Sequence, residues 1–255
     1  MQNGNFLFGC GAFDVLRYVN ATEESEKEKY GKRTKEWLAL FNYGTLPFYW
    51  GTYEPKEGDV RQAEMDKCVE FLTERGVTLK GHPLCWHTVC ADWLLSYDDK
   101  TIFEKQLERI NREVSHFKGK ITYWDVINET VILPVFNKYD NAVSRICARY
   151  GRMTLIKEVF AAAKAADPEA KLLINDFNTT DKYEKVIEGC LQAGVPIDAI
   201  GIQSHQHQGY WGAKKIKEVI ERFSRFGLPV HFTENTLLSG MLMPPEIEDL
   251  NDYQV

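Results

Sequence analysis

The 255-residue chain has no basic tract, no apolar run long enough to cross a bilayer and no pair of cysteines at C-x-x-C spacing. Its lysines and arginines are dispersed and the formal net charge is -6. Nucleic acid selects a basic face and a membrane span needs about 20 apolar residues, so both partners are disfavoured. Nothing resembles a signal peptide. The start, Met1–Gln2–Asn3, is silent on export, and the expected location is secreted or cell-surface, with the cytoplasm as the alternative. The six cysteines, at 10, 68, 85, 90, 147 and 190, read as free, mostly buried thiols. Other signatures are missing too. There is no H-x-x-x-H helix spacing for zinc, no G-x-G-x-x-G or Walker loop after a strand, and no G-x-S-x-G elbow around Ser204. No cofactor is expected, and oligomeric state is left open.

What is present suits one large domain: 44% of residues are hydrophobic and 27% charged. The organising stretch is Ile121–Glu129, I-T-Y-W-D-V-I-N-E, an apolar strand that stops in Asn128 and Glu129. A buried strand that ends in a carboxylate places it where parallel α/β folds bind ligands, outside the strand's carboxyl end.

Other segments repeat that pattern. Strands are expected at 5–12, 38–46, 77–79, 170–174, 199–202 and 229–232, and helices at 23–38, 59–75, 102–117, 143–166, 182–193 and 213–226. Met65, Cys68, Val69 and Leu72 keep the i, i+3, i+4, i+7 spacing of an amphipathic helix, with Gly76 and Gly194 as stops of their helices. The aromatic loop Pro47–Pro55 serves either as a platform for a ligand or as packing at the mouth. Alternating strands and helices with crossover-length connections predict a parallel sheet. Seven strands whose late members end in polar residues predict a TIM (β/α)8 barrel. A doubly wound open sheet is the runner-up. No eighth strand or final helix is apparent in Leu237–Val255, so residues 1–255 are expected to form a single barrel domain, incomplete at its C-terminal end.

Two glutamates end strands, Glu129 and Glu234. On strands four and seven of a barrel they would face each other across the mouth. Paired carboxylates are what glycoside cleavage requires: one protonated to supply the leaving oxygen, one ionised to attack or to activate water. Four of the six histidines, His82, His87, His205 and His207, lie near strand ends. His205 is the best candidate to keep Glu234 ionised. A metal-dependent hydrolase built on His82, His205 and a carboxylate is a competing reading. A thiol nucleophile at Cys85 or Cys90 has no evident His–Asn partner. Amides and aromatics complete the inventory: Asn128, Asn175, Asn178, Gln203, Tyr49, Trp50, Trp86 and Trp211. Amides bind sugar hydroxyls and indoles stack on sugar faces.

At these residues the chain resembles glycoside hydrolase family 10, the endo-β-1,4-xylanase family. Trp124–Glu129 (W-D-V-I-N-E) is similar to the family's acid/base motif, and Gly81–His87 (G-H-P-L-C-W-H) to its G-H-T-L-V-W-H segment. Ile174–Asn178 (I-N-D-F-N) resembles I-N-D-Y-N, Ile197–His205 resembles I-D-G-I-G-L-Q-S-H, and His231–Glu234 falls where the nucleophile motif stands. The resemblance implies a TIM barrel that hydrolyses β-1,4-linked xylan by double displacement, with Glu129 as acid/base and Glu234 as nucleophile. The expected partner is a β-1,4-linked polysaccharide or oligosaccharide. The chain departs from the family's E-N-x-M-K-W, reading Thr45-Leu46-Pro47-Phe48-Tyr49-Trp50, so Leu46 stands at the Asn position and Tyr49 at the Lys position. Val89 replaces a Gln, and Asn235-Thr236 follows the nucleophile in place of Leu-Asp. These departures leave open a different or decorated β-glycan, or a weakly active or non-catalytic binder on the same fold.

Overall fold

The computed structural model describes residues 6–207 and 209–237. In chain order the elements are β1 (Gly9–Gly11), α1 (Phe13–Asn20), α2 (Glu24–Leu40), β2 (Tyr43–Pro47), α3 (Trp50–Tyr53), α4 (Gln62–Thr73), β3 (Thr78–His82), α5 (Asp99–His116) and β4 (Tyr123–Asn128). They continue with α6 (Ala142–Tyr150), α7 (Arg152–Ala166), β5 (Lys171–Asp176), α8 (Asp181–Gln192), β6 (Ala199–Ile202), α9 (Gly212–Ser224) and β7 (Val230–Phe232). The seven strands form one sheet in the order β1 to β7, every adjacent pair parallel. A doubly wound sheet reverses its strand order at a switch point. This order never reverses, so the chain is a TIM-type (β/α) barrel, open between β1 and β7 among the described residues. The expected break in Leu237–Val255 lies, from residue 238 on, outside those residues, as does Asn5 of the first expected strand. No helix among the described residues is long and apolar enough to cross a membrane.

Parallel strands covered by helices are buried on both faces. All four residues of β6 and five of the six in β4 are buried. Trp124 is fully buried against Phe48 and Phe117, and its indole occupies the space a side chain at position 81 would need, so Gly81 admits none. In β4 the register slips by one residue between Asp125 and Ile127, which pairs Asn128 with Asn175 at the sheet's C-terminal edge. Such irregularities re-aim side chains near sites.

Some expectations shift. The apolar run taken as the beginning of the second strand is the last turn of α2, whose buried face is Tyr30, Thr34 and Trp37, and β2 begins only at Tyr43. The single helix expected over 143–166 is two, because Gly151 takes φ +85 and its N–H closes α6 on the Cys147 carbonyl. The Pro47–Pro55 loop contains α3, with Trp50 and Tyr53 turned into the core. Helix α1 went unanticipated. Gly76 has the left-handed backbone of a helix stop, and its partner bond runs from Val77 N to Leu72 O.

Candidate active site

Glu129 follows directly on β4. Its φ is +59, a left-handed conformation that costs a non-glycine residue about 1 kcal/mol. The backbone is held there by Glu129 N donating to Asn175 O at 2.9 Å and by its own carbonyl accepting from Leu133 N at 3.2 Å. Strain of this kind concentrates at functional positions. The carboxylate is largely buried. Gln203 Nε2 donates to Oε1 at 3.1 Å, and His87 Nε2 lies 3.5 Å from Oε2. Burial pushes the Glu129 carboxyl up to about 7, opposed by Gln203 and the Trp86 indole N–H and reinforced by the charges of Asp176 and Glu234. His87 is itself held neutral by burial, down at about 4.

Glu234 lies two residues past β7, and its N–H donates to Gln203 O at 3.1 Å. Its surroundings act oppositely. Burial would raise it, but His82, the hydrogen bond to His205 and the Lys80 ammonium together outweigh burial and the nearby Asp125 charge, and hold it below the usual carboxylate range. His205 Nε2 is 3.2 Å from Oε2, Asn175 Nδ2 donates to Oε1 at 2.6 Å, and His82 Nε2 is 3.7 Å from Oε1. Behind His82, Asp125 accepts from Lys80 Nζ at 2.7 Å and from His82 Nδ1 at 2.6 Å on the same oxygen. Lys80 and Asp125 are both fully buried, and the cation keeps Asp125 ionised against the cost of that burial. An ionised Asp125 can only accept from His82 Nδ1, which orients the ring so that Nε2 faces Glu234.

The two glutamates are joined by three amides. Gln203 Nε2 donates to both Glu129 Oε1 and Asn128 Oδ1, and Asn175 Nδ2 donates to both Asn128 Oδ1 and Glu234 Oε1. Thr233 Oγ1 completes Asn175 by donating to its Oδ1 at 2.6 Å. The Asn128 Nδ2 donor is buried with no hydrogen-bond partner in the protein, and the buried Trp86 Nε1 faces the Glu129 carboxyl without making a full hydrogen bond. Buried donors left open beside two carboxylates are suited to ligand hydroxyls.

Of the residues singled out in the sequence, His82, Asn128, Asn175, Gln203 and His205 lie in this network and Trp86 borders it. Tyr49 joins them, its ring 5.6 Å from His82 and 5.9 Å from Trp86, its phenol held protonated by burial and by the charge of Glu234. Trp50 does not. It is packed edge-on against Trp93 with Arg109 over its ring, and its indole donates to Glu54 at 3.1 Å. Asn178 is turned toward α8, its Oδ1 accepting from Thr180 N and Oγ1. Trp211 precedes α9, its N–H on Gln206 and the Lys215 ammonium 4.3 Å above its ring. Cys85 is no nucleophile, since full burial pushes its thiol far up, and Cys90 is raised to about 11 for the same first reason. Lys80 and Asp125 were missed. The signal was a lone charge inside each of two adjacent apolar strands.

His82, Asp125 and Glu234 present donor atoms within 4.8 Å of one another, the one such group among the described residues. The set fits a metal poorly, because the Lys80 ammonium already occupies the shared Asp125 oxygen at 2.7 Å. His205, needed by the metal reading, is bonded to Glu234 and lies outside that set.

A parallel barrel whose mouth holds one raised and one lowered carboxyl has the paired groups that glycoside cleavage requires. Comparison with known proteins carries this to the family. The model of glycosyl hydrolase family 10 matches residues 21–237, and the chain belongs to that family. It is 30% identical over 234 residues to an endo-1,4-beta-xylanase/feruloyl esterase of Xylanibacter ruminicola, covering 80% of this chain and 32% of that protein. It is 32% identical over 196 residues to a beta-1,4-xylanase of Dictyoglomus thermophilum, covering 72% and 53%. The chain thus spans about a third and about half of these relatives. Native xylanase 10B of Thermotoga maritima superposes with a TM-score of 0.74 at 26% identity, over 90% of this chain and 70% of that one.

Proposed function

We propose that the chain acts as one barrel domain that cleaves internal β-1,4-glycosidic bonds of xylan with retention of configuration. Glu129 serves as acid/base and Glu234 as nucleophile. The observation that carries this reading is the opposite tuning of two carboxyls joined through Gln203, Asn128 and Asn175: Glu129 up to about 7, Glu234 down. In the first step Glu129 gives its proton to the leaving oxygen as the Glu234 carboxylate attacks the anomeric carbon. Forming the glycosyl ester neutralises Glu234. The repulsion that helped keep Glu129 protonated then disappears, so Glu129 becomes a better-populated base for the attacking water. Asn175 and His205 aim the nucleophile. Asn128 Nδ2 is placed to donate to a sugar hydroxyl, and Tyr49 and Trp86 offer ring faces.

Relatives named as xylanases support xylan as the substrate. Leu46 and Tyr49 favour a second substrate reading within the same chemistry. Leu46 is fully buried and Tyr49 is a neutral phenol, so these two positions supply neither amide nor cation to a sugar. A different or decorated β-glycan would tolerate that loss. Reducing-sugar release over xylans, mixed-linkage glucans and cellulose separates the readings. The expected result is release from at least one xylan, nearly abolished in Glu129→Ala and Glu234→Ala. No release from any glycan would favour a non-catalytic binder.

A further inference from the structure

Asp176 ends β5 fully buried and takes no part in the steps above. Its Oδ2 accepts from Thr130 Oγ1 at 3.1 Å and from Val131 N at 2.9 Å, and its Oδ1 accepts from Asn178 N at 2.9 Å. Two of these donors belong to the residues immediately after Glu129. That is where the chain needs restraint, because the left-handed backbone at Glu129 relaxes if the following residues are free to turn. Register adds to this: Asn128 pairs with Asn175, so Glu129 and Asp176 leave their strands side by side.

We propose that Asp176 is the positioning residue of the acid/base glutamate, gripping Thr130 and Val131 so that the Glu129 carboxyl stays at the barrel mouth. The inference rests on the reading of Glu129 as acid/base. The charge of Asp176 adds a second effect. Burial lifts Asp176 to about 6, with the Asn178 and Val131 N–H groups, the Thr130 hydroxyl and the Arg152 cation on α7 opposing. When ionised, Asp176 repels the anionic form of Glu129. The other groups facing Glu129 are Glu234, which pushes the same way, the amide of Gln203 and indole of Trp86, which oppose, and neutral His87.

The test uses the full chain with 13C-labelled glutamate carboxyls, the Glu129 resonance identified by its loss in Glu129→Gln. In Asp176→Asn the Glu129 midpoint is expected to fall by roughly one unit, and the alkaline limb of kcat/KM to fall with it. An unmoved midpoint and limb, with only a uniformly lower kcat or a lower Tm, would overturn the proposal and leave Asp176 as a fold-supporting group. If Asp176→Asn does not fold, Thr130→Val removes one donor, lifts Asp176 towards Glu129 and should move both readouts the same way. Unmoved readouts there count equally against it. Failure of the acid/base reading is separable, because it shows as activity retained in Glu129→Gln, whereas the Glu129 midpoint is compared between Asp176→Asn and the unsubstituted chain, which both keep Glu129.

Discussion

A carboxyl at about 7 beside one held low sets the pH behaviour of the site. On the proposed roles, activity needs Glu129 protonated and Glu234 ionised. It should therefore fall as pH rises through about 7 and fall again in acid below the lowered Glu234 value. A flat kcat/KM profile from pH 5 to 9 would contradict this. The same shift bears on stability. The folded state binds the Glu129 proton more tightly than the unfolded chain, so the associated stability is full below about 4.5 and is lost as pH rises to about 7. Glu129→Gln removes that penalty. It should stabilise the protein at pH 8 by up to about 3 kcal/mol, and not at pH 4, as measured by chemical denaturation. Glu129→Ala should lower kcat/KM on xylan by about 10²–10⁴, yet spare kcat/KM on substrates whose leaving group needs no proton, such as a dinitrophenyl xylobioside, since kcat/KM reads only the first step. An equal loss on both would argue against the acid role. Lys80→Met leaves Asp125 buried without its cation, at a cost of about 3–5 kcal/mol. Because Lys80 also lowers Glu234, the acid limb should move up in any protein that folds.

At the scale of elements, the strands matter through what they leave no room for. A methyl at Gly201 of β6 would overlap the Asn175 amide, the group that bonds both Asn128 and Glu234. Gly201→Ala should lower kcat by about 10²-fold or more through displaced Asn175, with a smaller loss of stability than Gly81→Ala. At Gly81 the neighbour is the fully buried Trp124 ring, so that change strains the core. Paired Tm and kcat values distinguish the two. Elements were legible where a stop was chemical. Gly76 and Gly194 end helices and Ala199–Ile202 is a strand to the residue. They were not legible where periodicity ran through a break. Gly151 sits in an apolar helical pattern, and only its positive φ parts α6 from α7. Leu38–Leu40 reads as the start of a strand, but packing of Trp37 and its helix makes it the last turn of α2.

For the whole molecule, the barrel was readable because each strand delivers polar residues at one end, and Glu129, Gln203, His205 and Glu234 interrupt apolar runs that have no structural use for them. Trp50 and Asn178 were misplaced for a physical reason. An aromatic in a mouth loop can face inward to Trp93 and Arg109 as well as outward, and a strand-end amide can cap a turn as well as bind a sugar. Lys80 and Asp125 escaped notice because each compensates the other only across strands, which sequence order does not display. The central claim is that one barrel mouth holds a covalent nucleophile at Glu234 and its proton donor at Glu129. It is tested most directly by incubating the protein with 2,4-dinitrophenyl 2-deoxy-2-fluoro-β-xylobioside and mapping the adduct by peptide mass spectrometry. The account expects stoichiometric inactivation with the 2-fluoroxylobiosyl ester on Glu234. Turnover without an adduct, or an ester on any other residue, would contradict it.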